Sequence, residues 1–175
     1  MPLFDPAIFD FTAFDTDGQI WVGVCGGATF DWEDRDTGVT GSLPRISCDR
    51  RATRPVLYLT YVSGGSILRR TSNDEGVTWS VPATIAAGTG GGTVEFQPTG
   101  ARCTYWIASG TLRGKIDDAL GNALVATFDV DSGVEDNGVD SRERTGDRGE
   151  WLIDLIYTKG GNIVTVTSRD GRTFS

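Results

Sequence analysis

The side chains in this sequence that could do chemistry are carboxylates, tryptophans and a few arginines, because histidine is absent. Without imidazole there is no Ser/His/Asp or Cys/His nucleophile and none of the usual zinc sites. Asp129, Asp131, Glu135, Asp136 and Asp140 crowd one segment and could hold Ca²⁺ through carboxylate and carbonyl oxygens. The segment lacks the Ca²⁺-loop pattern of a central glycine and a closing glutamate, so a solvated acidic loop over 129–140 is preferred to a metal site. A carboxylate pair spaced for glycoside hydrolysis cannot be located. Trp21, Trp32, Trp79, Trp106 and Trp151 could stack on sugar rings. Three of them sit inside predicted strands, where core packing is the better reading. Trp32 lies in a polar, glycine-rich stretch and is the candidate for ligand contact. Cys25, Cys48 and Cys103, an odd number without CxxC spacing, read as free buried thiols of a chain made in a reducing compartment, with one disulfide and a spare as the alternative.

The elements that must position these residues are strands. The chain has 175 residues, 38% of them hydrophobic, and 24 glycines. The glycines separate short runs rich in Val, Ile, Thr, Tyr, Phe and Trp, which is the pattern of strands and tight turns. No segment carries helical periodicity. Predicted strands are Gln19–Val24, Pro44–Ser47, Val56–Val62, Ser66–Thr71, Ser80–Ile85, Tyr105–Ser109, Thr111–Asp117, Ala123–Asp129, Trp151–Tyr157 and Ile163–Thr167. Residues 26–42, 88–92 and 131–149 are predicted loops. A net charge of −8 and a pI near 4.5 argue against a nucleic-acid surface. No apolar run is long enough for a membrane helix, and the N-terminus has no basic segment of the signal-peptide kind. Residues 1–17 interleave Phe4, Ile8, Phe9, Phe11 and Phe14 with Asp5, Asp10 and Asp15 around Pro6. They read as an extended assembly arm, or else as the first strand of the core. Residues 18–175 read as one β domain.

The strongest signal is an internal repeat. When 56–80 is set over 151–175, Tyr61 meets Tyr157 and Gly64-Gly65 meets Gly160-Gly161. Ile67 then meets Ile163, Ser72 meets Ser168, and Asp74 meets Asp170. Each copy is a hairpin followed by a second tight turn, Ser72-x-Asp74-x-Gly76-x-Thr78-Trp79 or Ser168-x-Asp170-Gly171-x-Thr173-Phe174. In such a turn the Asp carboxylate accepts N–H groups just ahead of it and Gly supplies a left-handed residue. The aromatic side chain then packs inward. These residues are expected to carry structure and not catalysis.

Both turns resemble the Asp-box of bacterial-neuraminidase-type repeats, and Leu43–Ile85 looks like one sialidase-type blade. The resemblance implies an all-β fold, propeller-like or a sandwich, with the boxes between third and fourth strands and facing away from any active site. A sialidase also needs an arginine triad, a Tyr–Glu nucleophile pair and an acid Asp. Arg45 in LPRIS falls where a family arginine would, and Arg102, Glu95, Tyr105 and Asp118 are the residues that could be imagined beside it. The more economical reading of Arg45 is a strand-edge residue, and no enzyme working alone is expected. FDPAIFD, Leu112–Gly121 and SRDGRTFS resemble small tail-associated proteins of tailed bacteriophages.

The function this implies is a structural, non-enzymatic component of a virion tail or tail tip, made in the host cytoplasm. Its expected partners are other virion proteins, further copies of itself and a glycan receptor, with no nucleic acid, membrane, metal or cofactor. The alternative is a carbohydrate-binding, lectin-like module of sialidase-type blades. A third reading is part of a glycosidase completed by another chain. Because the second copy stops at its box aromatic, its hairpin is expected to lack an outer strand. An open edge invites pairing, and three copies of two blades would close a six-bladed ring.

Overall fold

Four two-residue turns set the architecture of the chain, seen here in a computed structural model that describes residues 10–26, 31–49, 51, 56–146 and 149–175. They are Asp17-Gly18, Gly64-Gly65, Ser109-Gly110 and Gly160-Gly161, with φ of 52° and 78°, 57° and 72°, 52° and 71°, and 57° and 75°. Two successive left-handed residues define the hairpin turn whose twist matches that of paired strands. Each turn joins a hairpin: β1 (Asp10–Thr16) to β2 (Gln19–Gly26), β5 (Val56–Ser63) to β6 (Ser66–Ser72), β9 (Arg102–Ala108) to β10 (Thr111–Asp117), and β13 (Trp151–Lys159) to β14 (Asn162–Ser168). The repeat is therefore fourfold. Two copies escape the sequence comparison because their turns are Asp-Gly and Ser-Gly.

Each hairpin lies in an antiparallel sheet, at the centre of the second and third and at one edge of the first and fourth. The orders are β1-β2-β3, β4-β5-β6-β7, β8-β9-β10-β11 and β12-β13-β14. The added strands are β3 (Asp31–Thr40), β4 (Ser42–Asp49), β7 (Ala83–Ala87), β8 (Gly90–Phe96), β11 (Ala123–Ser132) and β12 (Asp140–Thr145). No described residue is helical. The first strands of the later sheets lie side by side, β4 on β8 and β8 on β12, and β1 packs on β4. The sheets therefore stand like blades around a shared inner edge, in an open arc. Ser168 bridges to Phe174, and Thr167 and Ser175 exchange backbone hydrogen bonds. That is the beginning of a fourth strand on the last sheet; along Asn162–Val166 the β14 edge has no partner strand among the described residues. With four sheets in one chain, the count of three copies of two blades no longer holds.

The cores lie between neighbouring sheets. Ile20, Val22, Val24, Leu59 and Tyr61 fill the space between the first and second. The third and fourth share the largest cluster, with Cys103, Tyr105, Ile107, Leu112, Ile153, Leu155 and Tyr157. Only Ile67, Trp106 and Ala108 form the cluster between the second and third. None of the three cysteines is in a disulfide; Cys25 and Cys103 are buried and Cys48 is half-buried.

Four expectations need correction. Residues 10–16 of the supposed arm are β1, paired along their whole length with β2, because Phe11 and Ala13 pack on the first core. Phe4, Ile8 and Phe9 lie outside the described residues. Residues 31–40 are strand and not loop: β3 is an outer strand facing water, so it can carry DWEDRD without the apolar alternation that marks half-buried strands. Residues 90–92 are part of β8. A side chain there would collide with Ile107 Cβ, the Leu43 carbonyl or the Tyr105 carbonyl, within 3 Å in each case, so glycine allows the close approach of strands. The predicted loop 131–149 contains β12, whose side chains are mostly exposed at the inner edge of the arc, and Val134 and Val139 beside it are buried.

Candidate functional site

An antiparallel sheet places the connection between its first and second strands at the same end as the connection between its third and fourth. One end of the arc therefore carries the Asp-box turns together with the far ends of β4, β8 and β12. At that end a cavity of about 400 Å³ opens among Arg51, Phe96, Pro98, Glu143, Arg144 and Trp151, with Thr145 and Gly149 completing the wall. Its surfaces have distinct characters. The exposed Pro98 and the half-buried Trp151 offer flat apolar faces, and Phe96 is buried beneath Arg51. The indole is held in place, since Trp151 Nε1 donates to Glu143 Oε2 at 3.2 Å. The Arg51 guanidinium sits 5.1 Å over the Phe96 ring and pairs with Asp49 at 2.9 Å. Arg144 Nε donates to the buried Asp154 carboxylate at 2.7 Å, and this bond holds that carboxyl below its ordinary range. Two guanidiniums and one carboxylate thus line the cavity of a chain that is acidic overall. A cavity of this size, with apolar walls and a few oriented polar groups, suits a small polar ligand with an apolar face.

The boxes lie on the same end and bind backbone. Thr78 donates to Asp74 through its backbone N–H (2.9 Å) and its hydroxyl (2.6 Å), and Ser72 Oγ donates at 2.8 Å. Those bonds, the Thr78 hydroxyl foremost, hold the Asp74 carboxyl down at about 2. Ser72 Oγ accepts from Gly76 N, and Trp79 Nε1 donates to the Gly76 carbonyl. Asp170 is held at about 2 in the same way, first by the Thr173 N–H at 2.7 Å, with Arg172 N, Ser168 Oγ and the Thr173 hydroxyl adding bonds. Both turns also dock on the preceding sheet. Arg35 donates to the Glu75 carbonyl at 2.5 Å. Tyr105 OH donates to the Gly171 carbonyl at 2.7 Å and Gln97 Nε2 to the Asp170 carbonyl at 2.8 Å. Phe174 meets the Tyr105 ring edge-on at 5.7 Å. A third turn of the same kind joins β10 to β11: Asp118 accepts from Leu120 N, Asn122 N and Asn122 Nδ2 at 2.8–2.9 Å. Its Asp-x-x-Gly-Asn sequence was the available signal, without the leading Ser and the closing aromatic.

The residues imagined around Arg45 are dispersed. Arg45 stands in the first half of β4, its Nη1 donating to the Pro44 carbonyl. Tyr105 is buried against the second box, and burial pushes its phenol far up. Asp118 caps its turn at the box end. Glu95 lies buried between β8 and β12, where Ser141 Oγ donates to it at 2.5 Å; burial pushes it up to about 7, and the charges of Glu143 and Asp140 add to the rise. Trp32 is 53% exposed on β3, over Gly23 and away from the cavity. The acidic residues go to separate partners: Asp129 to Arg113, Asp131 to Lys159 and Tyr157, Glu135 to Gly161 N, Asp136 to Thr89. Among the described residues no three His, Cys, Asp or Glu side chains converge as a metal ion requires.

No family model and no curated protein matches the chain. Solved structures do. NanB with optactamide superposes with a TM-score of 0.64 at 14% identity over 90% of this chain and 27% of NanB. A point mutant of NanB sialidase from Streptococcus pneumoniae gives 0.62 at 15% identity, again over 90% and 27%. AofleA from Arthrobotrys oligospora gives 0.65 at 17% identity, over 93% of this chain and 50% of that one. The chain thus spans about a quarter of NanB and half of AofleA. At these identities the likeness is one of fold: an all-β, sialidase-type, propeller-like arrangement of antiparallel sheets.

Proposed function

We propose that this chain is a carbohydrate-binding, lectin-like module built from sialidase-type sheets. The observation that carries this reading is the cavity at the box end, where the anchored Trp151 indole faces Arg51, Arg144 and Glu143. A pyranose ring presents C–H groups to an aromatic face and hydroxyls to its rim, and the positive charge of two guanidiniums suits a sugar carboxylate. Acidic glycans are therefore the preferred class. Sialidase-like structures support the fold of such a module without assigning its ligand. Binding without hydrolysis is the proposed activity, because Arg45, Tyr105 and Asp118 stand apart. On a glycan array the chain should retain sialylated or uronic-acid glycans, and Trp151→Ala should abolish retention while the far-ultraviolet spectrum stays unchanged. Retention unaltered by that substitution would overturn the assignment. Release of fluorophore from a sialoside would replace binding with hydrolysis.

The second reading is a structural component of a phage tail, made in the host cytoplasm, with other virion proteins and further copies of itself as partners. It is favoured by the sequence phrases FDPAIFD and SRDGRTFS. It is compatible with glycan binding, since a tail-tip protein can meet a cell-surface glycan. Recovery in purified particles at fixed stoichiometry tests it; absence from particles refutes it.

A further inference from the structure

The space between the second and third sheets differs from the other two. Its apolar cluster is the smallest, and toward the box end charged groups enter it: Arg69, Arg102 and the buried carboxylate of Asp117, which stands opposite Arg102 in the β9–β10 register and whose charge acts on Arg69. From the second sheet, Arg69 on β6 lies beside Tyr58, its guanidinium 5.9 Å from the ring centre. From the third sheet, Arg102 on β9 approaches the same ring at 6.0 Å. Two guanidiniums from different sheets thus flank one aromatic ring, and burial together with the charge of Arg102 pulls Arg69 below its ordinary value.

Neither arginine has an ion pair among the described residues. Arg102 donates through Nη2 to the Asp118 carbonyl, and the buried Asp117 is paired with Lys115 at 3.0 Å. Alternate residues of β9 share the face on which Arg102 lies, and Trp106 on that face packs against Ile67 of the second sheet. Three polar atoms toward the box end of this gap are buried without a hydrogen-bond partner: Arg69 Nη1, Arg102 Nε and Thr104 Oγ1; Trp106 Nε1, also without one, lies at the other end, its ring beside Gly88. Arg102, Thr104 and Trp106 are 9%, 0% and 2% exposed. Buried polar groups are nearly always paired, so a set of orphans on one gap marks a missing partner. Two of the three are obligate donors and the hydroxyl can also donate, so the missing partner is an acceptor. Two of the donors belong to guanidiniums, so a negative charge fits best.

We propose that a small oxyanion, a phosphate, sulfate or carboxylate group, binds between the second and third sheets, held by Arg69 and Arg102 with Thr104. The site joins two sheets whose apolar contact is slight, so its occupancy stabilises the arc. Its residues differ from those of the glycan cavity, which it adjoins where Tyr58 meets Phe96 at 5.0 Å.

The test is thermal unfolding of the full chain in sodium phosphate, sodium sulfate or sodium N-acetylneuraminate, each against sodium chloride at equal ionic strength. With the anion at about five times its Kd the midpoint should rise about 2–4 °C. The rise should vanish in Arg69→Met and Arg102→Met, each compared with itself in chloride, and shrink in Thr104→Val, which keeps the shape and both charges. Trp151→Ala should retain it, which separates this site from the glycan cavity. A response to the inorganic ions identifies a free phosphate or sulfate, and one confined to the sugar acid identifies a carboxylate; either supports the site. No response of the wild-type chain beyond chloride would mean that ordered water alone meets these donors, and would overturn the proposal. A rise that persists in both arginine variants and in Thr104→Val would do the same.

Discussion

Docking of the second box on the third sheet can be weighed with a matched pair of glycines. Gly171 has φ +73°, and a Cβ there would stand 2.7 Å from Cys103 Sγ and 3.2 Å from both Gln97 Nε2 and Tyr105 OH. Gly161 has φ +75°, and a Cβ there would meet nothing within 4 Å. Alanine at either position suffers the left-handed backbone, at about 1–2 kcal/mol. Only at Gly171 does it also press into packed neighbours, which adds about 1–3 kcal/mol. Gly171→Ala should therefore destabilise the chain by about 2–5 kcal/mol and Gly161→Ala by about 1–2. Urea unfolding followed by tryptophan fluorescence gives both numbers, and an unchanged m-value shows that the unfolded state is not the cause. Equal losses in the two variants would refute the docking, because the backbone strain is the same in both.

Other outcomes follow from the same geometry. Asp74 and Asp170 sit at about 2 against an ordinary 3.8, so their stabilisation is present above about pH 4 and lost as the pH falls toward 2; Asp170→Asn should flatten the fall in thermal midpoint across that window, and an unchanged slope would count against the capping. Glu95 is raised from 4.5 to about 7, so its contribution is fully present below about pH 4.5 and is lost as the pH rises through 7. Glu95→Gln should thus be near neutral at pH 4.5 and stabilising at pH 8, by at most on the order of 3 kcal/mol; a variant less stable than wild type at pH 8 would show that the carboxylate is needed. Deleting residues 1–15 removes most of β1, with Phe11 and Ala13, and should cost the first sheet its cooperative unfolding; a truncated chain with an unchanged midpoint would return this segment to the role of a detachable arm.

The parts of the fold legible in the sequence are those in which local chemistry and burial agree. The hairpins at Val56–Thr71 and Trp151–Thr167 combine alternating or continuous apolar runs with Gly-Gly turns, and the boxes add a second local signature. The strands that went unseen are the ones whose partners are distant. β3 and β12 are polar because one face or edge meets water, and β8 begins with three glycines because neighbouring backbones leave no room for a Cβ. The cavity was illegible for a related reason. Arg51, Phe96, Arg144 and Trp151 come from the ends of separate strands in three sheets, and nothing local marks them. Trp32 stood out because its surroundings are polar, yet polarity there reflects an outer strand. Trp151 packs on the core of the third and fourth sheets, as its place at the opening of a strand suggested, and it also borders the cavity because that strand opens there.

Binding and hydrolysis make opposite demands on this architecture. The boxes and the Trp151 cavity share one end of the arc because the first-to-second and third-to-fourth connections of every antiparallel sheet must. In the sialidase-type resemblance the boxes face away from the active site; a centre of that kind would lie at the other end, where the two-residue hairpin turns lie and where the first half of β4 carries Arg45. A ligand at Trp151 and a ligand at Arg45 are thus separated by the length of the inner strands, and one substitution cannot disturb both directly. Arg45→Ala should leave glycan retention intact if the box-end cavity is the binding site, and Trp151→Ala should leave it intact if the hairpin end is. Retention lost in Arg45→Ala alone would move the ligand to the opposite end and revive the hydrolytic reading of this fold.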